Sequence, residues 1–596
     1  MNKSSGYSMR VIMVSLVCVL TFAVRPAFSA GPWYVGTNSP SDGPGTSWDT
    51  AFHTIQQGVD AAASGETVYA TNGTYYLTDT VTVGSGITVT SVNGRDVTII
   101  DGQYPSYMNR CLYLNSGAAV EGFTIRNGYA DADVGGGVYM AMGADCKLVS
   151  CTVVSNTAYS RGGGIYCRLG TMITNCIVRN NITTYAASAT TDAGGGGVYM
   201  SNGGSLLNSV IENNTSGYYG GGVVTFGADT FVNNCIIRGN ISVTGGGLRF
   251  YCDNHGGLVQ NCTITNNISN FGGGISHYGL NVMGGVVSNT VVSFNTAVYD
   301  GGGVHYANRG GTGIGLTICD NVCSNEGGGV FMSGTGQLFD SVISENRNYD
   351  QTYGAHELRG GGGIYIYNGG VVSNCAVVGN MVSRKAAGIF IRYSGTVMNC
   401  VISNNYNVAG YIGGVYMQQN GVLQNCLIAQ NDVPFGSSGG VNMQNNSGNH
   451  LENCTITRNS CGNGNGGGIS YSGGSVTNCI IYSNYASGSG DDVYSSVGYA
   501  NFGYSCAPEL SGGTGNITSD PLFIESGSGY GTNAISGNYR LALGSPCINK
   551  GFLLGWMIDG ATDLDGKDRI SPSHSGVVDM GCYETTVVIG TIIIIQ

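Results

Sequence analysis

The densest charged patch of this 596-residue chain is Arg347, Asp350, His356, Glu357 and Arg359, followed by Arg384, Lys385 and Arg392. Guanidinium and ammonium groups recurring along an edge suit an acidic polysaccharide, arginine through paired hydrogen bonds and lysine as a point charge. On the repeat described below, Arg384 falls at the position of Arg359, and Lys385 shares a column with Asp300 and Glu326. Carboxylates on adjacent turns with a cation nearby are the parts of a calcium-assisted lyase, the carboxylates holding calcium and the cation serving as base. Asp300, Glu326, Arg359, Arg384 and Lys385 are therefore the candidate catalytic residues, and Arg347 and His356 candidate ligand contacts. A hydrolase would need two carboxyl groups a set distance apart. Asp491-Asp492 stands where the repeat ends, with no supporting motif, and Asp563-Leu564-Asp565-Gly566 reads as a turn with calcium as the alternative. A patch of mixed sign has a plainer reading too, as a surface that neutralises itself.

A second chemistry is binding. Directly after a recurrent Val/Ile stand Tyr139, Tyr166, Tyr199, Phe331, Tyr365, Phe390 and Tyr416. Pointing outward in a row, such rings would form sugar-stacking platforms. Strand preference and the stacking of like residues explain the same row without a ligand.

These residues are positioned by a repeat of Gly-Gly-Gly-[Val/Ile]-Tyr-Met, a polar turn, then [Leu/Val]-x-Asn-Cys-x-Ile-x-x-Asn. Aligned on the cysteine position, it recurs thirteen times at spacings of 25 to 34 residues. Five residues after each such position stands an asparagine: Asn156, Asn181, Asn214, Asn240, Asn267, Asn295, Asn321, Asn346, Asn380, Asn405, Asn431, Asn459 and Asn484. The segments between turns are short and alternating, hence strands; Cys262, Ile264 and Leu258 are expected to face one way, Thr263 and Thr265 the other. Strands this short bury a face only by stacking in parallel on their equivalents, and one amide per turn then pairs up and down the stack. The expected fold is an all-β, right-handed parallel β-helix solenoid with a short N-terminal capping helix and an irregular C-terminal cap. The hand follows the crossover preference. The helix is expected within Asp49–Ser64 from the spacing of Phe52, Ile55, Val59 and Ala62, followed by strands Thr67–Ala70, Thr80–Val83, Ile87–Val89 and Val97–Ile100. Two turns carry insertions, Ile182–Gly194 and Arg347–Gly360, that leave one edge and could wall a groove.

Composition agrees with a weakly charged solenoid. Glycine is 102 of 596 residues and proline only 10, excluding collagen and Pro-rich disorder. A net charge of −12 with 23 basic residues gives no footprint for nucleic acid. Arg10, the apolar run Val11–Ala23 and Ala27-Phe28-Ser29 read as a signal peptide over residues 1–29, so an exported, extracellular or cell-surface protein is expected. Residues 30–66 then form the N-terminal cap, 67–490 the solenoid, 491–584 the C-terminal cap and 585–596 a strand-prone tail ending Thr-Ile-Ile-Ile-Ile-Gln. Nine of the 20 cysteines occupy the inward column, where parallel stacking does not converge their Cβ vectors, and a mostly reduced ladder is expected. One cysteine per turn and 7 histidines give no zinc site.

Gly162–Ile165, Gly272–Ile275 and Gly466–Ile469, with Ile264–Asn267, resemble the repeats of polymorphic outer membrane proteins and, more broadly, the right-handed pectin-lyase-like β-helix superfamily. Trp33-Tyr34-Val35, Trp48 and the run from Gly65 to Tyr75 resemble the start of exported bacterial β-helix proteins. Asp520-Pro521-Leu522-Phe523, Tyr539-Arg540-Leu541, Gly544-Ser545-Pro546, Asp563–Gly566 and Val578–Gly581 before Tyr583-Glu584 resemble the choice-of-anchor Q region. The resemblance implies export and a solenoid, but its superfamily spans lyases, hydrolases, adhesins and stalks. It also marks Cys547 and Cys582 as departures, standing where that region favours alanine, and a bridge between them is expected. No strands build the terminal membrane barrel of polymorphic outer membrane proteins. Three functions remain: a monomeric surface scaffold binding polysaccharide or another cell-surface glycan, with no cofactor; a lyase on acidic polysaccharide, with calcium; or a mechanical spacer.

Overall fold

The computed structural model describes residues 32–585, apart from positions 41, 144, 186–192, 253–255, 280–283, 350–358, 445–447, 559 and 571–575. The chain is a right-handed parallel β-helix with three long faces of 18, 16 and 16 strands. A fourth, narrower row of short strands runs in stretches of four and nine.

One turn shows why each residue type sits where it does. Val330–Ser333 lies on the third face, Gln337–Phe339 on the first, Val342–Ser344 on the second and Arg347–Asn348 in the short row. Each strand pairs in parallel with its equivalent on the next turn, so Val342 meets Ala376 and Phe331 meets Tyr365. Alternation sends Val330, Met332, Leu338 and Ile343 into one continuous core, where all are fully buried. The glycine corner closes the turn. Gly301 has φ +66°, a left-handed conformation that costs a residue with a Cβ about 1–2 kcal/mol. A Cβ on Gly302 would lie 2.3 Å from the carbonyl oxygen of Gly328 one turn on.

All thirteen predicted asparagines form a single buried file. The amide nitrogen of Asn346 donates to Asn380 Oδ1 at 3.0 Å and to the Ile318 carbonyl at 2.8 Å, and its backbone N–H donates to the same Oδ1. Its own Oδ1 accepts from Asn321. The file is capped at both ends. Gly128 N–H donates to Asn156 Oδ1, and both nitrogens of Asn484 donate to Asp492 Oδ1 at 2.8 Å. Asp492 is thereby a terminus of the ladder, and Asp491 accepts from Ala486 N–H.

At the N-terminal end, β1 (Trp33–Val35) leads to α1 (Ile55–Ala61), then β2 (Thr67–Ala70), β3 (Gly73–Tyr76) and β4 (Val81–Val83). The helix is shorter than its apolar spacing implies, because Thr54 and Gln57 form a capping box that starts it at Ile55. Ile55 and Val59 face the core as expected. Leu258 does not: it is partly exposed, and Val259 is the buried residue of that strand.

The C-terminal cap folds back along the second face. Cys582 N–H donates to Thr455 Oγ1, and Arg569, buried beside Glu584, reaches Asn425. The expected Cys547–Cys582 bridge is absent, and both thiols are free. Cys547 packs with Met580 and the Cys506 thiol, whereas Cys582 turns toward Thr455 and the cysteine column. The column itself is reduced, with Cys375 N–H directed at Cys400 Sγ. Burial pushes the Cys176 thiol up to about 11, which leaves it protonated and unreactive.

Candidate functional site

The site lies on the edge between the short row and the third face, just before the glycine corner. Glu326, Gly360 and Lys385 stand on successive turns there, and Asp300 lies one turn before Glu326, beside Phe271. The register read from the sequence is the one observed. Lys385 N–H donates to the Arg359 carbonyl, so Arg359 and Arg384 are also equivalents on successive turns.

Asp300 and Glu326 form a pair of half-buried carboxyl groups. The Glu326 backbone and the Asn325 side chain lie on the side that favours the Asp300 carboxylate, while its buried Oδ1 has no hydrogen-bond partner among the described residues. Burial pushes Asp300 up to about 6, with Arg359 opposing. Glu326 is pushed up to about 7, by burial first and then by the charge of Asp300. Against that push stand Arg392, whose Nη1 is 4.0 Å from Glu326 Oε1, and the Tyr365 hydroxyl. Arg392 Nη1 also donates to the Tyr365 hydroxyl at 3.2 Å. A carboxyl group that titrates near neutrality can give or take a proton at physiological pH.

The cations are held over aromatic rings. Lys385 Nζ sits 4.0 Å from the centre of the Tyr411 ring and 5.5 Å from that of Tyr416. Arg392 lies over Tyr367 and Tyr393 at 5.3 and 5.1 Å. Arg359, Arg384, Lys385 and Arg392 all remain partly accessible. Beside Lys385, Ala386 holds φ +48°, at the corner position where Gly301, Gly327 and Gly361 occur on neighbouring turns. A non-glycine residue in this region is strained, and such outliers gather at functional sites.

The aromatic row requires a correction. Tyr139, Tyr166, Tyr199, Phe331, Tyr365, Phe390 and Tyr416 do share one register column pointing away from the axis. They are not exposed platforms. Tyr139 is half-buried, and the other six are buried beneath the segments that precede the glycine corners. Arg161 lies over Tyr199, Arg110 over Tyr139 and Lys385 over Tyr416, while Ala386 and Ile412 pack against Phe390. The rings make two satellite cores outside the main one, with no open face for a sugar.

Arg347 is exposed on the short row, paired in register with Val322 and Met381. Asp350, His356 and Glu357 lie outside the described residues, as do parts of both insertions. The Asp563 turn closes on itself: its carboxylate accepts from the N–H groups of Asp565, Lys567 and Glu584, and Asp565 pairs with Arg540. No cluster of three or more His, Cys, Asp or Glu side chains suited to a metal occurs among the described residues.

Sequence reasoning missed one participant in the site and one buried cation outside it. Tyr365 joins Glu326 to Arg392 through its hydroxyl, whereas its place in the aromatic row predicts a sugar platform. Arg249, in the same column as Tyr199 and Phe331, is buried, donates to Ser276 Oγ at 2.8 Å and lies over Tyr219 at 4.4 Å. Its place in the repeat alignment was the available signal.

Residues 328–503 match the family model described as a right handed beta helix region. No curated protein matches the chain. Among solved structures, similar chains include pectate lyase Pel9A (15% identity, covering 93% of this chain and 96% of that one, TM-score 0.25). A pectin methylesterase from Aspergillus niger shares 14% identity over 45% of this chain and 87% of its own, TM-score 0.28. A mannuronic acid specific family 6 polysaccharide lyase from human gut microbiota shares 10%, covering 74% and 86%, TM-score 0.26. Likeness at this level says nothing about activity.

Proposed function

We propose that the protein is an exported surface scaffold that binds an acidic polysaccharide along the edge carrying Arg359, Arg384, Lys385 and Arg392. The supporting observation is the gathering of these four partly accessible cations on two neighbouring turns of a rigid solenoid. Cations on successive turns meet the carboxylates of an extended acidic chain without a deep pocket. The test is retention on immobilised polygalacturonate or alginate, with neutral dextran as control. Retention is expected to fall with salt, and the double variant Arg384→Ala/Lys385→Ala to weaken it at least tenfold. Retention unchanged in that variant rejects the site.

The Asp300–Glu326 pair favours a second reading, acid–base turnover of the same polysaccharide. Glu326, held up near 7 beside a second carboxyl group, is its proton-transfer residue, and Lys385 lies two turns away. Incubation with acidic polysaccharides, with and without calcium, separates the two readings. Product that disappears in Glu326→Gln establishes turnover; binding without product leaves the scaffold. Neither binding nor product leaves a spacer built on the asparagine file.

A further inference from the structure

Among the described residues the solenoid begins with an incomplete turn. The first face extends through β1, which pairs with β2, but the second and third faces start only at β3 and β4. On the third face, α1 covers the gap, and Gln56 Oε1 accepts the Thr82 N–H at 2.8 Å. On the second face no strand precedes β3 among the described residues. Gly73 and Leu77 donate to Val97 and Asp101 of the following turn. In a parallel sheet alternate residues serve opposite neighbours, so the N–H and C=O groups of Thr74 and Tyr76 face the other way. They face a cleft of about 960 Å³ lined by Thr37, His53, Gln56, Thr74, Tyr76 and Asp79, among others. Tyr76 is 64% exposed there. Asp79 is the one acidic side chain of the lining, which has no lysine or arginine.

An open edge whose lining is mostly uncharged, with no basic side chain, calls for an extended, uncharged strand. The sequence contains one with no other assigned role, Thr585–Gln596, which carries no charged side chain and includes Val587, Val588, Ile589 and Ile592–Ile595. Residue Thr585 lies in the C-terminal cap, beside Asp579 and close to the turn of Asn425. From there the cleft is roughly 60–65 Å away at the parallel-strand spacing, whereas residues 586–596 themselves span only ~36 Å when extended. The segment is too short for its own cleft.

We propose that the cleft is a strand-acceptor site, in which residues 586–596 of a second copy add in parallel register to β3. Copies then join head to tail into rods, in place of the monomer expected from the sequence.

The test uses the full chain. Light scattering and electron microscopy are expected to show linear rods that lengthen with concentration, and the variant Ile592→Asp/Ile594→Asp to be monomeric. A fluorescein-labelled peptide of residues 585–596 is expected to bind that variant saturably. Adding Tyr76→Pro removes one cleft-facing N–H and is expected to weaken peptide binding at least tenfold. Because proline could disturb β3 itself, the same peptide N-methylated at alternate residues provides a second arm and is expected not to bind. Rods persisting in the aspartate variant, no peptide binding, or N-methylated peptide binding as tightly as its parent would each overturn the proposal.

Discussion

The asparagine file and the stretch from Arg249 to Glu326 both bury polar groups, and they do so in opposite ways. Along the file every amide has its partners, 2.9–3.0 Å from one asparagine to the next, and Asp492 closes the end. In the other stretch several polar atoms are buried without partners among the described residues. His277 is stacked inside the core between Phe250 and Tyr306, at 4.4 and 4.7 Å, and neither ring nitrogen nor the Tyr306 hydroxyl has a hydrogen-bond partner among the described residues. His305 Nδ1 and Asp300 Oδ1 are in the same condition. Room for the His277 ring exists because the facing residue is Gly311, where a Cβ would lie 2.2 Å from Nδ1. A satisfied polar column stabilises and fixes register; an unsatisfied one stores a cost that titration or a ligand can release.

That contrast is sharpest in acid. Burial holds His277 and His305 down at about 3, against 6.5 for a free imidazole. As pH falls below 6.5 the unfolded chain takes up protons that the folded one refuses. The contribution of these two histidines is therefore complete above pH 6.5 and declines toward pH 3, by up to about 1.4 kcal/mol per pH unit for each histidine. Denaturant unfolding across that range is the measurement, and His277→Phe should flatten the decline while keeping the stack. An acid limb unchanged in His277→Phe would remove His277 from the explanation.

Breaking the satisfied column should be nearly as costly at neutral pH. Asn346→Ala deletes the acceptor of Asn321 and leaves buried N–H groups unpaired, so a loss of about 3 kcal/mol is expected in equilibrium unfolding. Hydrogen exchange should rise first in the turns on either side. A loss below 1 kcal/mol, on the order of one ordinary hydrogen bond, would mean that water substitutes freely in the file.

The carboxyl pair has the opposite sign to the histidines. Asp300 and Glu326 are raised to about 6 and about 7, so the folded chain holds protons that the unfolded one has released. Their contribution is fully present below the unfolded values near 4 and lost as pH rises through 6 to 7. Asp300→Asn with Glu326→Gln should flatten stability over that window, read from melting temperature against pH. The smallest effect belongs to the corner. Ala386→Gly should stabilise by about 0.5–1 kcal/mol, because glycine adopts φ +48° without a Cβ clash. If Ala386 strain positions Lys385, polysaccharide retention should weaken in the more stable variant.

Much of this was legible in the sequence for a specific reason. Thirteen asparagines at one offset admit few arrangements other than a vertical file, and the alignment that finds them also puts Glu326, Gly360 and Lys385 on successive turns. The strands Thr67–Ala70 and Val81–Val83 follow from alternation almost to the residue. Leu258 was misjudged because Leu258 and Val259 are both apolar, so alternation could not say which faces inward. The aromatic column was placed in register but not in its surroundings. Nothing local to Tyr365 or Phe390 states that Ala386 and Ile412 fold over them. Cys547 was paired with the wrong region because the cap packs it against Cys506, a neighbour that no spacing rule selects.

By itself, then, the sequence determined the period of the solenoid, the identity of its amide column and which residues stand above one another. These are one-dimensional properties, since each turn contacts chiefly its neighbours and recurrence is written directly in the chain. Only the tertiary structure decided which outward side chains meet water, which carboxyl groups lose it, and that β3 has no preceding strand among the described residues. Those outcomes depend on where corners, caps and the helix α1 fold relative to the faces, and solvent exposure is set by that packing and not by a residue's own periodicity.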